Sequence, residues 1–271
     1  MNTPSLTATD LAVAIDGRTI LSNANIHLQA GHSLALVGPN GSGKSTLIRA
    51  LAGIRTPAAG HVHVNDTDLH TMRPRERARL VSVVAQDENP LADQYAGEYV
   101  ALGLTPHLNP WSRPGHSEHE RVLEALKAVG MADFADRPMG HMSGGERRRV
   151  ILARGLVQDT PLLFLDEPTN HLDIAQQIAL LDLVRELDKT VVAAIHDLDL
   201  ALAYFDNVAV IHEGRIQDAG ESHTVITGQA TARAFGVHTA TAPHPRSGQE
   251  HLLLESMSHP RPNSHLMGEN Q

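Results

Sequence analysis

The stretch Gly38-Pro39-Asn40-Gly41-Ser42-Gly43-Lys44-Ser45-Thr46 constrains this chain more than any other. It meets the spacing G-x-x-x-x-G-K-[ST] at every fixed position and follows directly on the apolar run 34–37. A strand, a glycine-rich turn and a helix carrying Leu47, Ile48 and Leu51 are expected in that order. Glycines at 38, 41 and 43 let successive backbone N–H groups point inward, and a helix opening near Ser45 adds the positive end of its dipole. Such a turn suits the phosphates of a nucleoside triphosphate. Lys44 would reach the β- and γ-phosphates, Ser45 would offer its hydroxyl to a bridging magnesium ion, and Thr46 would cap the turn.

A chain of 271 residues, 41% of them apolar, has enough material for one large core or two coupled lobes. Its formal charge of -9 argues against a sequence-independent grip on nucleic acid, so no nucleic-acid partner is expected. No window approaches the roughly 20 consecutive apolar residues of a membrane span. The first residues lack the basic and apolar regions of an export signal, which points to the cytoplasm. The absence of cysteine removes disulfides, thiolate zinc sites and cysteine nucleophiles. The 18 histidines are scattered, and pairs such as His61/His63 or His116/His119 lack partners at metal-ligand spacing.

Leu11, Val13 and Ile15 alternate with small or polar residues before Asp16-Gly17, and Ile20, Ile26 and Leu28 follow, which predicts antiparallel strands joined by a tight turn. The apolar runs 34–37, 80–85 (broken only by Ser82), 162–165 and 191–195 read as strands of a mostly parallel sheet covered on both faces. Between them, 120–129 reads as an amphipathic helix and 105–115 carries Pro106, Pro110 and Pro114, so about 88–158 is expected to be an inserted helical lobe. Residues 208–219 read as a terminal hairpin turning at Glu213-Gly214. From Pro243 onward the chain is rich in Pro, Ser, His and Asn, and 243–271 is expected to be a tail without structure after a domain spanning 1–242.

The apolar run 162–165 delivers Asp166 and Glu167 together at the end of a buried strand. Asp166 suits magnesium, and Glu167 suits the orientation and deprotonation of a water attacking the γ-phosphorus. Met142-Ser143-Gly144-Gly145-Glu146 adds a serine cap and two glycine N–H groups at the start of a helix over 146–157, a second anion site. Gln86 follows the run 81–85, Asn170-His-Leu-Asp173 follows Pro168, and His196 follows 191–195.

In this order the motifs resemble those of the ATP-binding cassette (ABC) ATPases, over about residues 6–240. The resemblance implies a P-loop α/β core with a mostly parallel sheet, an N-terminal antiparallel β subdomain and an inserted helical subdomain. It implies ATP as substrate with Mg2+, and a head-to-tail homodimer in which Ser143, Gly144, Gly145 and Glu146 of one copy close on ATP held by the phosphate loop of the other. Gln86 would contact magnesium and sense the transporter, Asp173 would speak across the dimer, and His196 would contact the γ-phosphate. Where the family stacks an aromatic ring on adenine this chain has Ile15, which forfeits an aromatic increment of about 0.5–1.5 kcal/mol.

The segment 98–107 is similar to V-x-x-G-R-x-P-H of importers of iron siderophores, haem and cobalamin, with Leu104 at the arginine position. Residues 172–177, the His196-Asp197-Leu198 run and 234–237 are also similar to that group. The resemblance therefore implies a permease dimer as partner, an extracytoplasmic solute-binding protein beyond it, and a place at the cytoplasmic face of the membrane. A soluble assembly ATPase stays open as an alternative. A GTPase or kinase is disfavoured, because no N-K-x-D base-reading motif occurs.

Overall fold

Strands buried on both faces organise the computed structural model, which describes residues 3–86, 88–108, 115–170, 172–246, 248 and 250–257. The chain opens with β1 (Leu6–Ile15) and β2 (Arg18–Leu28), antiparallel and closed by Asp16 and Gly17 at φ 49° and 78°. Two positive φ values in a two-residue turn match the twist of a hairpin. Next come β3 (Ser33–Val37), α1 (Lys44–Leu51), β4 (Ala59–Val64) and β5 (Thr67–Asp68). A one-turn α2 (Pro74–Arg77) leads to β6 (Val81–Val84), followed by α3 (Ala96–Ala101), α4 (His116–Ala128) and α5 (Gly144–Val157). Then follow β7 (Leu162–Asp166), α6 (Ile174–Arg185), β8 (Thr190–Ala194), α7 (Leu198–Tyr204), β9 (Asn207–His212) and β10 (Arg215–Glu221). The described chain closes with α8 (Ser222–Ile226), α9 (Gln229–Phe235), β11 (Val237–Pro243) and β12 (Glu250–Ser256).

Among the described residues one sheet runs β2-β1-β4-β5, a second β10-β9-β3-β8-β7-β6, and a third pairs β11 with β12. Every pairing of the second sheet is parallel except β10 with β9. Its strands alternate between two cores. Ala35, Leu163, Leu165 and Ala193 face the helices α3 to α7, whereas Leu34, Leu36, Phe164 and Val192 face α1 and the first sheet. Continuous apolar runs are the sequence form of that double burial.

Helices α3, α4 and α5 pack on one another, but α5 does not stay within their lobe. Its far end lies on β6, where Ser82 Oγ donates to the Gly155 carbonyl at 2.8 Å and a Cβ on Gly155 would come 2.6 Å from Val84 Cγ2. Helix α4 starts four residues earlier than the periodicity suggests, because Glu118 Oε2 accepts from Gly115 N (2.8 Å) and completes its first turn. Leu104, at the arginine position of the importer segment, is buried among these helices. Pro110 and Pro114 lie outside the described residues.

Two expectations need correction. The hairpin β9–β10 is not terminal, since α8, α9 and two more strands follow it. The expected structureless tail begins instead with part of a hairpin: β12 pairs with β11 from Val237↔Ser256 to Pro243↔Glu250. It docks on α7, where Asp199 Oδ1 accepts from Leu252 N (2.7 Å) and Asp199 Oδ2 meets His251 Nδ1 (2.9 Å). Val237, Thr239 and Thr241 supply β-propensity to β11 that the polar composition masks. The rest of that stretch, 258–271, lies outside the described residues.

Candidate functional site

The ends of β3, β6, β7 and β8 lie side by side, and the chemistry gathers at their carboxyl ends, as open α/β sheets dictate. A depression of about 520 Å³ there is lined by Asn40, Gly41, Gly43, Lys44, Ser45 and Thr46, by Gln86, Glu167, Asn170 and His196, and by Ile20. Gly38 passes so close to β9 that a Cβ would sit 2.1 Å from the Ile211 carbonyl oxygen, so only glycine fits. Gly43, at φ 108°, caps α1, and Pro39 joins the turn as the residue whose carbonyl accepts from Ser42 N at 3.2 Å. Ser42 is buried, and its hydroxyl has no hydrogen-bond partner among the described residues.

Lys44 is buried, with Nζ donating to the Gly38 and Pro39 carbonyls at 2.8 and 3.1 Å. Burial pushes its ammonium below the usual lysine value, against the opposing pull of Glu167 and Asp166. Ser45 Oγ donates to Asp166 Oδ1 at 2.9 Å, and Asp166, the last residue of β7, is buried. Next in the chain, Glu167 adopts φ 51°. For a residue with a side chain that conformation costs on the order of 1–3 kcal/mol, so its surroundings impose it. The turn aims the carboxylate into the depression: Oε1 lies 2.5 Å from His196 Nε2, and Asn170 Nδ2 donates to Oε2. Gln86 is exposed just beyond β6.

Six of the expected site residues stand elsewhere, four of them in one turn. Ser143, Gly144, Gly145 and Glu146 open α5 and do not line the depression. Ser143 Oγ accepts from Glu146 N (3.2 Å), and Glu146 Oε2 accepts from Ser143 N (2.7 Å), a reciprocal capping box. Hydrogen bonding to the carboxylate by the Ser143 backbone, and then by its side chain, holds the Glu146 carboxyl below the usual glutamate range. Gly145 lies against α6, where a Cβ would stand 2.2 Å from Gln176 Oε1. Asp173 caps α6 by accepting from Gln176 N at 2.9 Å, so the two turns share a neighbour. His171 of the same motif lies outside the described residues.

Ile15 ends β1 opposite Arg18 and is not among the residues lining the depression; Ile20 is. A second surprise is Arg148, whose place in the run Arg147, Arg148, Arg149 by itself suggests only an exposed or paired charge. It is half-buried and donates to the carbonyls of Ala85 (3.2 Å), Asp166 (3.1 Å), Glu167 (3.0 Å) and Pro168 (3.2 Å). Asn170 was legible as part of a motif, but its contact with Glu167 was not.

A family model described as ABC transporter matches residues 21–170. The chain is 41% identical over 249 residues to a cobalamin import ATP-binding protein of Halobacterium salinarum, covering 90% of this chain but only 62% of that relative's length. It is 35% identical over 234 residues to the ferric enterobactin transport ATP-binding protein of Escherichia coli, covering 85% and 86% of the two chains. Among solved structures it is similar to cbiO1 from Clostridium perfringens, part of the ABC transporter complex cbiONQ, with a TM-score of 0.73, 30% identity and coverage of 84% and 92%.

Proposed function

This chain belongs to the ATP-binding cassette (ABC) transporter family, and from that premise we propose that it is the ATP-hydrolysing subunit of an importer. Its cargo is an iron chelate, a ferric siderophore, haem or a related complex, carried through a separate permease. The observation that carries the enzymatic half is the convergence of Lys44, Ser45, Asp166, Glu167 and His196 around one depression. The relative named for transport of ferric enterobactin supports an iron chelate, and the one named for cobalamin import supports a related metal complex.

ATP lies along the turn 38–46, its phosphates facing the backbone N–H groups and the Lys44 ammonium. Lys44 is held by two carbonyls, so it waits in place rather than being recruited. Ser45 Oγ, Asp166 and the Gln86 amide oxygen offer the hard oxygen donors that suit Mg2+. When bound there, the ion neutralises charge on the β- and γ-phosphates. Glu167 accepts the proton of the attacking water, while His196 and Asn170 fix the direction of its carboxylate. Hydrolysis yields ADP and phosphate.

A second copy of the chain completes the chamber. The N–H groups at the start of α5 lie away from the depression of their own copy, and Ser143 and Gly144 are exposed to receive a phosphate from a partner. ATP thus joins two copies head to tail, and closing and reopening moves the permease. No helix among the described residues is long and apolar enough to cross a membrane, so the path for the solute belongs to the permease. The subunit works at the cytoplasmic face, and an extracytoplasmic binding protein delivers the solute. The test is to co-purify the permease, reconstitute both in vesicles and measure uptake of labelled iron chelates. Uptake that needs ATP and stops with Glu167→Gln supports the reading; uptake indifferent to both refutes it.

A further inference from the structure

We infer that Arg148 is a positioning residue for hydrolysis, holding the Glu167 carboxylate and the Gln86 loop in register with the Ser143 turn. The inference rests on the proposed ATPase reading.

Its acceptors are not scattered. Three are the successive carbonyls of Asp166, Glu167 and Pro168, which frame the peptide units on both sides of the left-handed Glu167. The fourth is Ala85, immediately before Gln86. One planar guanidinium therefore grips the backbone of the two loops that carry the attacking carboxylate and the exposed glutamine. A lysine ammonium, a point donor with three protons, cannot span all four acceptors in this fork geometry. Burial pushes the Arg148 guanidinium below its ordinary value, opposed by nearby Glu88, Asp166 and Glu167, yet an arginine stays charged in a protein.

Helix α5 reinforces the hold on the Gln86 loop a second time. Arg154 Nη2 donates to the Val83 carbonyl (2.9 Å) and pairs with Glu88 Oε1 (2.6 Å), and that same carboxylate oxygen accepts from Ala85 N (2.9 Å). Ala85 is thus held at its N–H by Glu88 and at its C=O by Arg148. Tyr99 of α3 donates to the other oxygen of Glu88, which ties the grip to the helical lobe. Arg148 stands five residues, about 7.5 Å of helix rise, beyond Ser143. A ligand that seats on the Ser143 turn pulls on the helix whose Arg148 side chain already holds the Glu167 backbone. Movement at one end therefore reaches the carboxylate without passing through solvent.

The test compares Arg148→Lys and Arg148→Met with the unaltered protein and with Glu167→Gln. The readouts are kcat and KM for ATP, nucleotide affinity by equilibrium binding, and thermal unfolding. Displacing a reacting group by about 1 Å is enough to slow a reaction about a hundredfold. We expect kcat to fall at least about tenfold for Arg148→Met, with nucleotide affinity changed less than about threefold, and to recover part of the way in Arg148→Lys. If Arg148→Met fails to fold, Arg148→Lys carries the test by the same split. A kcat within twofold of the unaltered protein in the folded variants overturns the inference, as does a loss confined to KM. An unaltered protein with no ATPase activity overturns the functional reading instead. An active protein stopped by Glu167→Gln but untouched at Arg148 overturns this inference alone.

Discussion

The turn at 38–46, capped by left-handed Gly43, and the turn at 143–146, capped by extended Ser143, both open helices and are placed in opposite circumstances. Each sets serine and glycines at the start of a helix, where unpaired N–H groups favour an anion. The first is backed by its own chain: Lys44 is buried, Ser45 bonds Asp166, and Glu167 and His196 close the wall. The second presents Ser143 and Gly144 to solvent, and the Glu146 carboxylate is spent on the cap. In the proposed reading one helix start is half of a catalytic site and the other an isolated anion receptor. What separates them is which strand ends the tertiary fold delivers beside each turn.

If that contrast holds, the largest effect comes from the first turn. Lys44→Ala removes a charged donor worth about 1.5–3 kcal/mol, so ATP affinity should fall roughly tenfold to a hundredfold and turnover should vanish. Equilibrium nucleotide binding and phosphate release read the two losses separately. Glu167→Gln should leave binding intact, lower turnover about 10²–10⁴-fold and accumulate a closed dimer visible in size-exclusion chromatography with ATP. Unchanged turnover would remove Glu167 from the role assigned to it.

The second turn should respond more mildly and in a different currency. Ser143→Ala loses a helix cap worth about 1 kcal/mol in thermal unfolding, and its turnover should drop while its own phosphate loop still binds ATP. Mixing Ser143→Ala with Glu167→Gln gives the sharper result. In a head-to-tail heterodimer one composite site keeps both an intact Glu167 and an intact Ser143, so mixing should raise activity above that of Glu167→Gln. No gain, in a mixture shown to form heterodimers, breaks the comparison.

The smallest effect concerns pH. The folded Glu146 carboxyl sits below its ordinary value of 4.5, chiefly through the Ser143 backbone hydrogen bond. Its contribution to stability is complete above that ordinary value and is lost as pH falls through the lower, folded one. Melting temperature measured across the acid range should therefore fall less steeply for Glu146→Gln than for the unaltered chain.

How much of this was legible beforehand differed by element. The phosphate loop, the buried strands and the Asp166–Glu167 pair could be read because their signals are local: glycine spacing, apolar runs and adjacent residue types. The hairpin of β11 and β12 was missed because it lies in a stretch rich in Pro, Ser and His, so composition outweighed strand propensity. Arg148 was missed for a different reason. A surface charge and a half-buried guanidinium look identical in a helix pattern until the carbonyls around them are known. Ile15 was chosen for its place before the hairpin turn, yet the turn sets Ile20 rather than Ile15 in the depression.

By itself, the sequence determined which chemical groups exist and which short segments can carry them: a glycine turn for phosphates, a capped helix start, and two carboxylates at a strand end. Side-chain period and turn chemistry act over a few residues, so one dimension is enough to record them. Only the tertiary structure decided that β3, β6, β7 and β8 run side by side, which sets Ser45 against Asp166 and His196 against Glu167. It alone drew Arg148 onto the backbone of two separate loops. Those contacts depend on parallel strands joined by crossovers, and the pairing free energy of distant strands leaves no mark at any single position.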